Sequence, residues 1–433
     1  MSSVATTMVP NDTKGLSIPT FDAEKDLPRS SHFRTWIVFT AFPKGFWLLR
    51  KVWPIACLAG YRIVTRYDDV AEVLSRHDVF RVPFDAEMAR LNDGKEPGTP
   101  FILGIDNTQA HDEQLMKVMR IFKRSDVKAI VEPVSFNFAE TAIKSSGKAS
   151  IEAIGELITG VPLHLCGTYY GIDVAGDPRT FAYATIMVSQ QLFGPLPITP
   201  KSEVDNAADY VRSVVERSID KEIGNPSGKD TIVSRLIESY RKPVADAGHL
   251  PRDQVRAFLM GMIVGFVPTN TIAGGHILEM LLRREDFRKQ ARAAALSGDD
   301  DLLKHCLFEA MRFMPLNPGP FRICEKDHTL AAGTPRAKKI RKGQQVMASA
   351  MSAMMDADKV DRPYDFVPGR PASDYMLFGY GIHWCAGVFI AQSQITQTFK
   401  ALLQQPKLER GSGEDRWPRY RGLVPDYQVV RFL

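Results

Sequence analysis

One stretch, Phe378-Gly379-Tyr380-Gly381-Ile382-His383-Trp384-Cys385-Ala386-Gly387, constrains this chain more tightly than any other. Gly379 and Gly381 permit a tight turn with positive φ, a conformation that a Cβ obstructs. The turn hands Cys385 to the start of an amphipathic run, Val388 to Leu403, whose spacing predicts a helix. A sulfur at a helix N-terminus is favoured as thiolate over thiol, because unpaired backbone N–H groups and the helix dipole both face it. The amides near Ala386 and Gly387 are expected to point at the sulfur and tune it, and Phe378 to shield it from water. The plain alternative is a buried structural cysteine in a glycine-rich turn.

The other cysteines stand at 57, 166, 306 and 324, widely spaced and without a C-x-x-C pair. That argues against a disulfide framework and a structural zinc site, and fits a reducing, cytoplasmic compartment. A net charge of +5 over 433 residues is too small to mark a nucleic-acid partner. The first thirty residues are polar, carry Pro10, Pro19 and Pro28, and read as an extended arm rather than a signal peptide. The apolar stretch Phe33 to Tyr61 is broken by Arg34, Lys44, Arg50 and Lys51, and by Pro43 and Pro54, so it is no spanning helix. Its aromatic residues suit a membrane surface, but a first helix facing the core is the preferred reading.

Period-two alternation predicts a strand at Tyr61–Arg66, followed by a short helix capped by Asp68 or Asp69 and running through Leu74. Residues 82–110, rich in Gly, Pro and Asp, read as a long irregular loop, a form that is usually functional. Helical periodicity holds from Ala110 to about Met314, and strands return around Arg322–Val346 and Tyr427–Phe432. Two helices stand out. The first opens with Pro251 at an N1-like position and is apolar on most faces to about Arg284, so it belongs in the centre. The second starts at the acidic cap Asp299–Asp301 and ends before Pro315. The expected fold is mainly α with small β-sheets: an arm over 1–30, then a single domain over 31–433.

At every fixed position the cysteine stretch resembles F-G-x-G-x-H-x-C-x-G, the heme-binding signature of the cytochrome P-450 family. The resemblance covers nearly the whole chain beyond about residue 30 and implies the single-domain P-450 fold. It implies heme b held noncovalently, with Cys385 as the axial metal ligand and Phe378, Gly379 and Gly387 shaping its loop. His383, Arg322 at the start of a strand, and His111 in Asp106-Asn107-Thr108-Gln109-Ala110-His111 are the implied propionate partners. Glu309 and Arg312 match the family's E-x-x-R pair, and Arg370 in Pro368-Gly369-Arg370 the third member of that structural lock. The family often places an Arg four residues after the histidine, where this chain has Leu115; Lys117 and Arg120 are the candidate substitutes.

The central helix departs from the family. Gly265 and Thr269 match its A/G-G-x-D/E-T motif, but Phe266 replaces the second Gly and Pro268 replaces the acid. Dioxygen activation needs protons, and a proline cannot ionise; it also removes an N–H and frees the carbonyl of Val264 four residues back. Thr269, Pro268 and Gly265 are therefore the candidate catalytic positions. The resemblance implies a monooxygenase acting on a small or medium apolar substrate, fed by a ferredoxin and its NAD(P)H-dependent reductase. Its pocket is expected from residues 82–105, the region 186–200 around Gln190, Leu192 and Phe193, Phe266, and Leu316–Phe321 with Asn317 and Phe321. The basic run Lys117, Arg120, Lys123, Arg124 and Lys128 is the expected docking face for the donor. Pro268 motivates a second reading, a heme-thiolate peroxygenase, isomerase or dehydratase; a noncatalytic heme or gas sensor is a third.

Overall fold

A single helix, Arg252–Arg283, organises the fold, and nearly every turn of it is buried. In the computed structural model, which describes residues 33, 36–58, 60–147, 149–174, 178–194, 200–241 and 250–432, it packs against the helices Pro178–Phe193, Asp300–Phe313 and Asp85–Asp93. Among the described residues it is the one helix long and apolar enough to cross a membrane, and 89% of its apolar window is buried inside the protein. Its apolar residues are core residues. Pro251 is the N-cap with extended ψ, one position before the expected N1. The expected arm at 1–30 lies outside the described residues.

The helix Val388–Leu403 follows the cysteine loop as the spacing predicts, and lies along Glu132–Ser145. Asp300–Phe313 begins where the Asp299 carboxylate accepts from the Leu302 amide, satisfying an otherwise unpaired first-turn donor. The sheets are small. A five-stranded sheet runs in the order Ile55–Leu58, Tyr61–Val64, Gln345–Ala348, Phe321–Cys324, Phe80–Arg81. A three-stranded sheet brings the C-terminal strand Val429–Phe432 between Ser150–Glu152 and Leu408–Arg410, so a strand interrupts the region expected to be continuously helical.

Three expectations need correction. Residues 82–110 contain a helix, Asp85–Asp93, closed by Gly94 at φ +70. The Asp and Gly residues that suggested a loop are its acidic first turn and its left-handed C-terminal stop, and Met88, Ala89 and Leu91 are its buried face. Neither Asp68 nor Asp69 caps the helix Tyr67–Ser75. Asp69 is buried and takes a two-pronged ion pair from Arg336 instead. Finally, the helix Phe42–Val52 does not simply face the core. Phe42 and Phe46 pack inward, while Trp47, Leu48 and Val52 are exposed.

Candidate functional site

A cavity of about 780 Å³ lies between the central helix and the cysteine loop. Cys385, Phe378, Gly379, His383 and Gly387 form one wall; Gly265, Phe266, Thr269 and Asn270 form another. The loop is closed by a 2.8 Å bond from the Cys385 amide to the Phe378 carbonyl. Gly379 sits at φ +85, and a Cβ there would lie 2.7 Å from the His383 carbonyl oxygen. At Gly387 a Cβ would meet only the Cys385 sulfur, at an ordinary contact distance of 3.8 Å, so space alone does not require a glycine there. Burial raises the Cys385 pKa and the Gly387 amide opposes that rise. Its thiolate therefore calls for a cation at the sulfur.

Two buried charge clusters flank this wall. In the first, Glu309 takes both prongs of Arg312 at 2.8 and 2.9 Å, the Arg370 Nε at 3.0 Å, the Val367 amide at 3.1 Å and the Tyr375 hydroxyl at 2.9 Å. Burial pushes the Glu309 pKa up, but these donors outweigh it and hold it below the ordinary carboxylate value. Arg312 spends its remaining donors on the carbonyls of Met354, Pro363 and Asp365, and Arg370 on those of Asp361, Arg362 and Asp365. The segment leading into the cysteine loop is thus tied to the helix Asp300–Phe313. Tyr375 belongs to this cluster, and no local pattern in the sequence marked it.

In the second cluster, His383 Nε2 donates to Asp106 Oδ1 at 2.8 Å, and the His111 ring meets the His383 ring edge-on at 5.6 Å. His111 is buried in the first turn of Thr108–Ile121, which Asn107 caps through the Ala110 amide. Arg322 is buried in its strand and lines the cavity. Burial lowers its pKa to about 10, with Asp106 the opposing charge, and its Nη1 donates to the Phe321 carbonyl at 2.8 Å. A buried guanidinium with most of its donors unspent is costly unless an anion meets it.

The distal wall differs from what Pro268 suggested. The helix continues through Pro268, whose ring is buried and is not part of the cavity lining. Proline removes one N–H from the helix ladder, and the next three residues each hydrogen-bond a carbonyl four positions back. The Thr269 hydroxyl donates to Gly265, the Asn270 amide to Phe266 and the Thr271 hydroxyl to Val267. The Gln394 amide then donates to Asn270 at 2.7 Å, tying the distal helix to the helix after the cysteine. Phe266, in place of a glycine, packs its ring at a tilt against Tyr170, 5.3 Å between centroids. Asn317, Phe321, Leu316, Gln190, Leu192 and Phe193 all line the cavity; residues 195–199 of the expected pocket region lie outside the described residues. Lys117 and Arg120, the candidate substitutes for the missing Arg, do not line it.

The family model for cytochrome P450 matches residues 186–428. The chain belongs to the cytochrome P450 family. It is 22% identical to cytochrome P450 107B1 of Saccharopolyspora erythraea over 82% of this chain and 85% of that one. It is 26% identical to the mycinamicin IV hydroxylase/epoxidase of Micromonospora griseorubida, over 82% and 85% of the two chains. The crystal structure of CYP109E1 from Bacillus megaterium in complex with testosterone shares the fold, with a TM-score of 0.74 at 20% identity over 93% of this chain and 99% of that one. This P450 is a heme-thiolate monooxygenase with heme b as its cofactor.

The residues present fit that cofactor. The cavity has a cysteine in a glycine-rich wall, a buried arginine whose carboxylate neighbour, Asp106, is hydrogen-bonded to His383, and a mostly apolar remainder. Bound there, the heme supplies the iron chemistry that activates dioxygen and delivers one oxygen atom to the substrate.

Proposed function

We propose that this P450 oxidises a small or medium apolar organic substrate, with Cys385 as axial ligand. The observation that carries the reading is a single cavity with Cys385 in one wall and Thr269 in the other. Residues 31–433 act in this reading as one catalytic unit. Phe378, Gly379 and Gly387 shape the sulfur's surroundings. Arg322 and His383 hold the heme propionates; Asp106 orients His383, and His111 backs it from behind. Glu309, Arg312 and Arg370 fix the segment that presents the cysteine. Thr269, held by the Gly265 carbonyl, offers its oxygen to a proton-carrying water, and Asn270 keeps the wall beside it in place.

Phe84 and Phe193 meet edge-on at 4.9 Å and, with Phe266, Leu316, Asn317 and Phe321, shape the substrate's side of the cavity. Its lining is mostly apolar, which favours an apolar substrate over a charged one. Electrons come from a ferredoxin with its NAD(P)H-dependent reductase. The face that suits such a donor carries exposed Arg120, Lys123 and Arg124; Arg124 lies 4.0 Å over the Phe389 ring, which meets Trp384, 50% exposed next to Cys385. The free cysteines accord with a cytoplasmic setting.

One observation favours a second reading. Among the described residues lining the cavity Glu87 is the one carboxylate, and Arg90 holds it at 2.8 Å. No acid therefore stands beside Thr269, as a peroxide-driven oxidation, an isomerisation or a dehydration would allow. The test is an optical titration of the ferric protein with terpenoids, fatty acids, aromatic compounds and a fatty-acid hydroperoxide, followed by turnover. A low- to high-spin shift with an apolar compound, and product that needs dioxygen and ferredoxin, is the expected result. Rapid hydroperoxide loss without such a shift establishes the second reading.

A further inference from the structure

We propose that the outward face of the helix Phe42–Val52 docks on an anionic lipid bilayer, attaching this P450 peripherally to a membrane. The helix has two well-separated faces. Its inner face is pinned: buried Arg50 donates to the Ser352 carbonyl and hydroxyl at 2.8 and 2.7 Å and to the Tyr364 hydroxyl at 2.8 Å. The orientation of the other face is thereby fixed. That face recurs at helical spacing through Lys44, Trp47, Leu48, Lys51 and Val52, all exposed. On a helix bathed in water it should be polar throughout. Here its middle is Trp47, 42% exposed, Leu48, 52%, and Val52, 69%. Trp36 before the helix, Trp53 at its end and Leu58 in the next strand are exposed as well.

Charge selects the partner. Between Asp26 and Asp68 the sequence holds no Asp or Glu. Arg50 is buried and Arg66 pairs with Asp356 and Asp358, so the outward face of the helix takes its charge from Lys44 and Lys51. Lys44 and Lys51 carry their ammonium groups on long stems that reach past an apolar surface, and the Lys51 nitrogen lies 5.2 Å above the Trp47 ring. Indole rings at headgroup depth, aliphatic side chains just below them and lysines meeting lipid phosphates make up the chemistry of an interfacial helix. The pairing of lysine ammonium groups with an apolar middle, and no carboxylate on the helix, matches phosphate headgroups above acyl chains. At 11 residues the helix is too short to span a bilayer, so it lies in the plane. Leu58 pairs in register with Tyr61, and Tyr61 lines the active-site cavity. The hairpin next to the docked face therefore reaches a wall of the cavity, which would bring a membrane-dissolved substrate close to it; this last point rests on the apolar-substrate reading, whereas attachment does not.

The experiment is co-sedimentation of the full-length, heme-loaded protein with vesicles of phosphatidylglycerol and phosphatidylcholine, or of phosphatidylcholine alone. Binding is expected to the anionic vesicles, to weaken with salt, and to bring quenching of tryptophan fluorescence by lipids brominated on their acyl chains. The double variants W47Q/L48Q and K44E/K51E should each lower the partition coefficient by about tenfold or more. Both should keep the carbon monoxide spectrum of the reduced protein, which shows that the fold and heme site are intact. No binding at any composition, or equal binding by the variants, overturns the proposal. So does a dimer that W47Q/L48Q dissolves without vesicle binding, which would make a second copy the occupant. Binding seen only after removal of residues 1–32 also overturns it, since those residues would then cover the face. Because no turnover is measured, a failure of the substrate reading leaves this result untouched.

Discussion

Glu309 is the residue on which most depends, because it compensates two buried arginines at once. Glu309→Gln leaves a net positive charge in the interior, and the cost is about 3–5 kcal/mol, the usual loss when one partner of a buried ion pair goes. Thermal unfolding should show that loss, together with poor heme retention. Thr269→Ala acts differently. It removes a cavity hydroxyl without touching the fold, so product per NAD(P)H should fall roughly tenfold while hydrogen peroxide rises. Measuring substrate oxidation against cofactor consumption separates the two outcomes; an unchanged ratio would leave Thr269 without a role in the proton path. At this scale the site was legible wherever its residues are neighbours in sequence. The glycine–cysteine loop and the Glu309–Arg312 pair are local patterns with local reasons. Tyr375 on Glu309, Asp106 on His383 and Gln394 on Asn270 join distant positions, and periodicity carries no record of such meetings.

The central helix shows how an element supports the site. His276 lies buried in it and donates from Nδ1 to the Pro315 carbonyl at 3.1 Å, just before the cavity-lining turn at Leu316. Burial pulls its pKa from 6.5 to about 4. Below about pH 6.5 the unfolded chain binds a proton that the folded chain refuses until about pH 4. Stability therefore falls as pH drops through that window, by roughly 3 kcal/mol in full. His276→Leu should flatten the dependence, and denaturant midpoints at pH 7 and pH 5 measure it; an unchanged slope would contradict the assignment. The elements the sequence obscured have physical reasons. In Asp85–Asp93 the residues that punctuate loops are the same ones that begin and end helices. In Phe42–Val52 both faces are apolar, so periodicity cannot say which one points inward.

For the molecule as a whole, the fold class was legible because length, helical periodicity and one specific loop agreed. The order of strands in the mixed sheet was not, since it depends on pairings such as Arg62 with Val346 across most of the chain. The whole-molecule charge layout also makes a prediction. Reduction by a ferredoxin should slow steeply as salt rises, and Arg120→Glu with Arg124→Glu should raise the KM for ferredoxin several-fold while sparing kcat. Stopped-flow reduction at two ionic strengths measures this, and a salt-independent rate would move the docking face elsewhere. The central claim is that Cys385 is the thiolate ligand of the heme. Its most direct test is the carbon monoxide difference spectrum of the reduced protein beside that of Cys385→Ala. The wild-type protein should show the long-wavelength Soret band of thiolate-ligated heme, and the variant should lose it. Persistence of that band in the variant would mean that another cysteine holds the iron and that the site described here is wrong.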